Sequence, residues 1–472
     1  MRIYSNNNKI KCIYLWWILF VIISIYPLDA FTASLTEEPL EVFTLEQTIK
    51  RALTANLDLR RSKEAVKEAT AIRNRQGTNF LPTLTATYRY THHNEEIGTP
   101  SFTTPDIDIT GPPAFTIPGM SIPGYIIQPQ DEYAFVFTVT QPIFTGFSII
   151  NGYRLSDMGL DSAKINQKLT RLQIIYKSQE AFFLLLKAQK ILDVVQETVS
   201  QVSAHTDAAA SFYEVGLIPL NDLLKTKVEL ANAQQELVSV QHNLELARSN
   251  YNIILHRSIN SPVKIVDVFS YSPFENDLEY CLKVANRKRL EVKIATLQLK
   301  MAKAEMRIAQ KDYLPTVTLQ YNYYQLGTEW DVRGGEGILD TYSWDVVAEA
   351  QWNFWEWGRS YFQVKEKESR VKQAQLQLQS LEDQILLEVK QAYLKTREAE
   401  KNIITLKKAI HQARENFRIT KERYKEQMST STDVLDAQTL LSRTMTNYYN
   451  ALYDLKLSKA SLYKSMSVES IQ

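Results

Sequence analysis

FLPT at residues 80–83 and YLPT at residues 313–316 are one short motif that occurs twice. The apolar positions upstream repeat at the interval that separates the two motifs: Leu45, Ile49, Ala52 and Leu57 in the first copy, and Leu278, Leu282, Ala285 and Leu290 in the second. Downstream, YEVGLIPLNDLL from Tyr213 is echoed by YKEQMSTSTDVL from Tyr424, at a slightly shorter interval. A repeat that takes up nearly half the chain is too long for a solenoid unit. The chain is therefore predicted to consist of two similar halves.

Each half is predicted to contain a helix, two strands, a very long helix, a turn and a further helix. The first repeat spans residues 31–256, a connecting segment spans 257–276, and the second repeat spans 277–472. No proline follows Pro315 and no glycine follows Gly358, which favours helix through the rest of the chain. The predicted bounds are helices at about 44–80, 146–215, 221–256, 277–313, 358–427 and 433–468, and strands at about 82–92, 132–144, 315–325 and 342–355.

The two long helices are predicted to match in length. The segment from Phe144 to Tyr213 has the same length as the segment from Trp355 to Tyr424. At about 1.5 Å per residue, a helix of this size is roughly 100 Å long. A helix so long cannot be covered by a globular core, so its partners must be neighbouring helices, as in a coiled coil.

The strand segments alternate between apolar and polar residues. Such a strand suits a membrane barrel, in which one face meets lipid and the other meets water. A soluble sheet that packs its aromatic face on a core is the alternative. All five tryptophans that follow the N-terminal apolar run lie in or beside the second strand pair, which favours an interfacial girdle. The residues predicted for this girdle are Tyr88, Tyr90, Tyr133, Phe135, Trp344, Trp352 and Trp355.

Four strands cannot close a barrel around water, because the smallest membrane barrels have about eight. The chain is therefore predicted to oligomerise and pair its sheet edges between subunits. Residues 91–131, with seven prolines, and residues 327–341, rich in glycine, are predicted to be outer surface loops. His92 and His93 lie in the first loop, where adjacent histidines are more often solvated than metal-bound. No metal site and no cofactor are predicted.

The N-terminus has the pattern of a secretory signal peptide, assigned to residues 1–30. Arg2, Lys9 and Lys11 precede an apolar run at about 12–28, and small residues follow it. No later segment reaches 18 apolar residues, so no transmembrane helix is expected in the mature chain. With 23% charged residues and a net charge of +1, nothing marks a nucleic-acid partner. The sequence has no phosphate loop, no G-x-S-x-G and no His/Cys metal spacing, which argues against an enzyme.

Over about residues 40–468 the sequence resembles the TolC-like outer-membrane efflux factor family. The resemblance rests on the duplicated plan, the two Leu-Pro-Thr motifs, QPIF at 141–144, VGLIPLND at 215–222 and DVLDA at 433–437. It implies a mainly α fold with a small β part. Three chains are implied to share one outer-membrane barrel of twelve strands, four per chain, continued by an α-helical coiled-coil tunnel across the periplasm. Residues 257–276 and the segment before Thr44 are implied to form a belt around that tunnel.

The family resemblance also implies function and partners. The protein would be a passive duct in the outer membrane of a Gram-negative bacterium, in contact with outer-membrane lipid. A periplasmic adaptor and an inner-membrane RND-type pump or ABC exporter would supply substrate and energy. Small-molecule efflux, metal-ion efflux and type I secretion of protein stay open. An exported trimeric coiled-coil structural protein or adhesin without a pore is the alternative, although it leaves the aromatic strand pairs unexplained.

The periplasmic entrance is implied to be gated by carboxylates. Asp433 and Asp436 match the two aspartates that line the narrow end in the family, so three chains would place six carboxylates around one axis. Crowded carboxylates raise one another's pKa and attract cations. The alternative for Asp433 is a simple helix N-terminal acid, which the helix dipole favours.

Other tip residues are implied to close the gate or to meet the adaptor. The gate network is assigned to Asn221, Asp222, Tyr424 and Ser429, although Ser429 stands where well-studied gates have an arginine. Arg423, Lys425 and Lys225 are candidates for the missing cation. Gln427 also replaces the glycine expected from Gly216. The adaptor-docking tips are assigned to Gly216, Leu217, Ile218, Pro219, Ser429 and Thr430.

Overall fold

The computed structural model describes residues 41–266, 273–338 and 341–469. The predicted signal peptide lies outside the described residues, as does part of the connecting segment, residues 267–272. Helices dominate the described residues, and strands are the smaller part. None of the described helices combines the length and the hydrophobicity that crossing a membrane would take.

The described helices form two matching sets of four. In chain order they are α1 (Leu45–Ala55), α2 (Leu57–Thr78), α3 (Ser148–Glu214), α4 (Leu220–Ile254), α5 (Leu278–Lys288), α6 (Leu290–Ala309), α7 (Arg359–Lys425) and α8 (Ser431–Ser465). The long helices α3 and α7 have 67 residues each, and the helices that follow them have 35 each. Equal lengths follow from the duplicated sequence, because the left-handed residues that follow each helix, Gly216 and His256 in the first repeat and Gln427 and Ser467 in the second, recur at the same interval.

In each repeat, one continuous helix was predicted before the strands, but the structure has two helices separated by a single residue. Asn56 separates α1 from α2, and Arg289, its counterpart in the second repeat, separates α5 from α6. Both residues leave the helical region, with ψ of 130° and 120°. The Asn56 side chain accepts hydrogen bonds from the backbone N–H groups of Asp58 and Leu59. Such a local bond competes with the helical ladder, so the chain bends where the apolar periodicity alone predicts continuity.

The long helix α3 connects the two repeats. It packs against α1, α2 and α4 of its own repeat and against α6 and α8 of the other. Helix α7 packs in the same way on α5, α6 and α8. From Val42 onward the chain therefore forms one unit rather than one unit per repeat.

The duplicated core uses different chemistry in its two copies. In the first repeat, the hydroxyls of Thr48 in α1 and Tyr251 in α4 are buried and lie 2.7 Å apart. Their counterparts, Cys281 in α5 and Leu462 in α8, belong to one buried apolar cluster. Burial raises the pKa of the Cys281 thiol, which therefore stays protonated and packs as a small apolar side chain.

The strands of the described residues are β1 (Glu41–Phe43), β2 (Thr83–His92), β3 (Ile97–Gly98), β4 (Phe102–Thr103), β5 (Ile107–Ile109), β6 (Phe115–Ile117), β7 (Ser121–Ile122), β8 (Ile126–Gln128), β9 (Asp131–Thr145), β10 (Val263–Ile265), β11 (Thr316–Gly327) and β12 (Tyr342–Gln351). Four of them form one antiparallel sheet in the order β12-β11-β9-β2. Strands β2 and β12 are the edges of this sheet, and neither has an outer neighbour among the described residues.

The register of this sheet gathers most of its aromatic side chains on one face, while Tyr324 lies on the other. Across β2 and β9, Tyr88 is opposite Phe135 and Tyr90 is opposite Tyr133. Across β11 and β12, Tyr323 is opposite Trp344. Because Tyr323 is also opposite Phe137 of β9, the aromatic rows of both hairpins are continuous on the same face. The opposite face carries polar pairs such as Asn322 with Asp345, joined by a hydrogen bond of 2.8 Å.

Strand β12 ends four residues earlier than predicted. Its last residue, Gln351, is opposite Thr316, the first residue of β11. Pro315 has no N–H to extend the ladder, so the partner strand has nothing to pair with beyond this point. Trp352 and Trp355, which were assigned to the strand, therefore lie past its end, where both are exposed.

Residues 93–130, within the segment predicted to be an outer surface loop, form a paired ribbon. Strand β3 pairs with β8, β4 with β7 and β5 with β6, so the ribbon continues the β2–β9 hairpin. Prolines follow Thr99 and Thr104 and interrupt the ladder. There the threonine hydroxyls accept hydrogen bonds from the backbone N–H groups of Tyr125 and Met120, at 3.1 and 2.8 Å. The prolines thus separate short strand pairs instead of preventing them.

The two segments assigned to a belt meet beside the middle of the helices. Strand β1 pairs with β10, and the Phe43 carbonyl accepts a hydrogen bond from the Val266 N–H. Residues 273–276 are held on α7, because the Arg397 guanidinium donates to the carbonyl oxygens of Phe274 and Asn276.

Candidate gate at the helical tips

Both long helices end in the same turn, although their sequences differ. After α3, the Leu217 N–H donates to the Phe212 carbonyl at 2.8 Å; after α7, the Met428 N–H donates to the Arg423 carbonyl at 2.7 Å. This six-to-one bond marks a Schellman motif, which requires a left-handed residue. Gly216 takes that conformation at φ 77°, and Gln427 takes it at φ 60°. The turn is therefore kept in the second repeat without the glycine that favours it.

The second tip holds Asp433 in a capping box. Thr430 is the N-cap of α8, its hydroxyl accepts the Asp433 N–H, and the Asp433 carboxylate accepts the Thr430 N–H at 2.8 Å. The amide and hydroxyl of Thr430 lower the pKa of Asp433. Asp433 is thus a helix-capping acid in the single chain. It is also exposed together with Asp436, one turn along the same helix, so the capping role leaves both carboxylates free to face an axis.

The cations proposed to replace the missing arginine are engaged locally. The Arg423 guanidinium donates to the Met428 carbonyl, Lys425 pairs with Glu422, and Lys225 lies 3.9 Å from Asp222. Ser429 itself donates to the Thr420 carbonyl at 3.1 Å and braces the turn. Within one chain, no cation therefore links the first hairpin to the second at this level of the described residues.

Tyr424 lies between the hairpins but does not bond to Asp222. Its side chain is 4% exposed, and its hydroxyl has no hydrogen-bond partner among the described residues. Burial raises the pKa of Tyr424, the nearby Ser431 hydroxyl opposes that shift, and the Asp222 carboxylate adds to it. The predicted Asp222–Tyr424 pair is therefore close enough for an electrostatic effect, but no hydrogen bond connects the two side chains. Asn221 is exposed beside it.

A buried histidine that the sequence analysis missed connects the two repeats at this point. His205 of α3 is 8% exposed, and its Nε2 atom lies 2.8 Å from the Ser431 hydroxyl of α8. Its ring packs edge-on against Tyr424, with centroids 4.7 Å apart. The signal in the sequence is position: His205 falls on the same helical row as Val202 and Ala209, both buried.

The tip residues assigned to docking lie at the surface. Leu217 is 51% exposed, Ile218 is half-buried, and Gly216, Pro219 and Thr430 are exposed. Far from these tips, His92 is the last residue of β2 and Asp131 is the first residue of β9. The His92 Nδ1 atom lies 2.7 Å from the Asp131 Oδ1 atom. Within residues 41–266, 273–338 and 341–469, no group of three or more His, Cys, Asp or Glu side chains is arranged to hold a metal ion.

Comparison with known proteins identifies the family. The sequence profile of the outer membrane efflux protein family matches residues 48–250 and 282–467, which is most of the chain and both repeats. This chain belongs to the outer membrane efflux protein family. The resemblance drawn from the repeated motifs is thereby confirmed, and the exported stalk or adhesin without a pore has no support.

Individual relatives agree with this assignment. The outer membrane protein TolC of Salmonella enteritidis is 22% identical over 354 residues, 71% of this chain and 68% of that protein. The CmeC outer membrane channel of Campylobacter jejuni matches with a TM-score of 0.75 and 16% identity, over 90% of this chain and 85% of that one. VceC of Vibrio cholerae matches with a TM-score of 0.74 and 16% identity, over 90% and 96%.

The chain is thus an outer-membrane efflux channel protein with the fold of the TolC-family channels. The predicted mainly α fold with a small β part is confirmed, as is the predicted placement in the outer membrane. The family is a channel family and not an enzyme family. Channels of this family work in tripartite systems together with an adaptor and a pump.

Proposed function

We propose that three copies of this chain assemble into one duct, with a barrel of twelve strands and a helical tunnel below it. The observation that carries this proposal is the sheet β12-β11-β9-β2. It has one continuous aromatic face, one polar face and two edges without a neighbour among the described residues. Pairing β2 of one copy with β12 of the next removes both edges and puts the aromatic face toward lipid.

The spacing of the exposed aromatic residues supports a membrane position. Trp344 in β12 and Trp352, directly after its end, are eight residues apart, which is roughly 26 Å along an extended chain and about 20 Å along the membrane normal at a strand tilt of about 35–45°. The apolar band of such barrels is about 25 Å tall, with an aromatic girdle at each border. Trp344 with Tyr88, Tyr90, Tyr133 and Phe135 would mark the outer border, and Trp352 with Trp355 the inner one.

The helical tips would form the periplasmic entrance. Six carboxylates, from Asp433 and Asp436 of three copies, would line it and select cations at the closed end. The tip residues Gly216 to Pro219, with Ser429 and Thr430, would meet a periplasmic adaptor. An RND-type pump or an ABC exporter would deliver the cargo, as small-molecule efflux, metal-ion efflux or type I secretion.

Two measurements on the purified protein test the duct. We expect a trimer that resists detergent at room temperature and separates into monomers on heating, and we expect discrete conductance steps in planar lipid bilayers. A monomer confined to the soluble periplasmic fraction, with no conductance, contradicts the proposal. Deletion of the edge strand β12 should abolish the trimer band on the gel.

A further inference from the structure

Helices α3 and α8 pack through apolar residues, such as Val194 with Leu441 and Met445, and are also joined by polar side-chain links. These polar links include His205 with Ser431 at 2.8 Å, Thr198 with Ser442 at 3.0 Å and Lys187 with Asp454 at 3.2 Å. We call these contacts the inter-repeat seam. Polar groups that separate are rehydrated by water, so these polar links resist opening less than apolar packing of the same area would.

The buried end of the seam contains groups with unsatisfied hydrogen-bonding capacity. The Gln438 Oε1 atom of α8 and the Tyr424 hydroxyl of α7 are buried, and neither has a partner among the described residues. An unsatisfied buried polar atom weakens the arrangement that buries it. At the tip end of the seam, the hydrogen bond between His205 and Ser431 therefore favours the closed arrangement, whereas the burial of these two unpaired polar atoms disfavours it.

The surroundings of His205 disfavour a positive charge. Ser431 is the first residue of α8, so His205 faces the positive end of that helix dipole. Lys421 of α7 adds a second positive charge nearby. The Asp222 carboxylate of α4 acts on Tyr424 and is paired with Lys225. No carboxylate among the described residues is bonded to His205.

We propose that His205 and Ser431 are a proton-sensitive latch that holds the second hairpin on the first, and that acidification of the periplasm releases it. This inference rests on the proposed duct. Neutral imidazole shares a hydrogen bond with Ser431 and fits the buried site. Imidazolium in that site is repelled by the helix end and by Lys421, so α8 moves away from α3 and the entrance widens.

The direction of the pH effect follows from the shift in the histidine. Burial lowers the pKa of His205 and Lys421 acts in the same direction, which together outweigh the opposing effect of Ser431. A base with a lowered pKa stabilises the closed form fully above its ordinary pKa, which is about 6.5. This stabilisation is lost progressively as the pH falls below that value. The channel should therefore be most closed at neutral pH and should open in mild acid.

The test measures single-channel open probability of the full-length protein in planar bilayers at pH 7.5 and pH 5, for the wild type and three variants. The wild type should open severalfold more often at pH 5. His205→Gln keeps a side chain that can bond to Ser431 but cannot titrate, so it should stay closed at both values. Ser431→Ala lacks the partner and should be open at both. His411→Gln removes an exposed histidine of α7 and should keep the wild-type response.

A disulfide across the seam provides an independent measurement. The Thr198→Cys, Ser442→Cys variant joins two hydroxyl positions that lie 3.0 Å apart. When oxidised, it should stay closed at pH 5, and reduction should restore the response. A pH response retained by His205→Gln or by the oxidised variant overturns the latch. Absence of trimers and of conductance in every sample, wild type included, would instead overturn the proposed duct.

Discussion

Gly216 and Gln427 occupy the same left-handed turn position in the two repeats. Glycine adopts this conformation without strain, whereas a residue with a Cβ atom is strained in it. A Cβ atom at Gly216 would meet no other atom within 4 Å, so only backbone strain acts there. We predict that Gly216→Ala destabilises its turn by about 1 kcal/mol and that Gln427→Gly stabilises the other by a similar amount. Hydrogen–deuterium exchange of the tip peptides should accelerate in the first variant and slow in the second. Gln427→Ala, which keeps the strain, should leave exchange unchanged.

Asp433 combines a structural and an electrostatic role, and the two can be separated by substitution. Asp433→Asn with Asp436→Asn removes the charge, while the amide oxygen of residue 433 still accepts from the Thr430 N–H. We predict that multivalent cations then block the conductance at concentrations at least about tenfold higher, equivalent to ~1.4 kcal/mol. Unchanged block in this pair would contradict the carboxylate ring. Thr430→Ala, which removes the cap but not the charges, should keep the block.

At the level of single elements, the ribbon between β2 and β9 depends on threonine hydroxyls. Thr104 accepts from the Met120 N–H and also donates to the Met120 carbonyl. We predict that Thr104→Val weakens the local pairing by about 1 kcal/mol, which makes open ribbons roughly fivefold more frequent. Protease added to intact cells should then cut residues 93–130 faster by a similar factor. Thr104→Ser keeps the hydroxyl and should be cut at the wild-type rate.

Helix and strand bounds were predictable where a breaker or the repeat interval marks them. The long helices were predicted over 146–215 and 358–427, and they span Ser148–Glu214 and Arg359–Lys425. Strands β2 and β11 begin directly after the proline of each Leu-Pro-Thr motif. The breaks at Asn56 and Arg289 were not predictable from periodicity, because the apolar pattern continues through both. The strand pairs of the ribbon were not predictable, because proline marks both loops and the gaps between short strand pairs.

The candidate gate was predictable only in part, because the resemblance supplies positions and not contacts. Asp433 and Asp436 lie on the exposed face of α8, and their role stays a prediction. Asp222 and Tyr424 are near each other but are not hydrogen-bonded. Ser429 and Arg423 instead donate to backbone carbonyls of their own turn. His205 and Ser431 lie far apart in the sequence, in different repeats, so no local pattern connects them. Only the packing of α3 on α8 brings these two side chains together.

At the scale of the whole molecule, equal intervals keep the two hairpins level. The left-handed residues Gly216 and His256 recur at the corresponding positions of the second repeat, as Gln427 and Ser467. The two long helices therefore start and stop together, and the helices after them end together. A tube built from three such chains would have six hairpins of equal length. Differences between the halves, such as His205 facing Ser431, then give the tube two kinds of contact between neighbouring hairpins.

Two adjacent valines test which face of the assembled sheet meets lipid. Val346 is opposite Tyr321 on the aromatic face of β12, and Val347 is opposite Gln320 on the polar face. Both are exposed in the single chain, so neither substitution disturbs a monomer core. Arginine on the lipid face costs about 2–4 kcal/mol at the middle of the bilayer and less toward its borders. Val346 lies two residues inside Trp344, so its cost should fall between these limits, whereas arginine in the lumen meets water.

We therefore predict that Val346→Arg sharply reduces the heat-modifiable trimer in outer-membrane fractions. Val347→Arg should assemble normally and change the conductance, because its charge enters the pore. The matched pair has the same added side chain at adjacent positions, so general effects of arginine on expression or export act on both. Normal assembly of Val346→Arg with failure of Val347→Arg would mean that the aromatic face is turned inward. The sheet would then be a soluble one packed on a core, and the shared barrel would have to be abandoned.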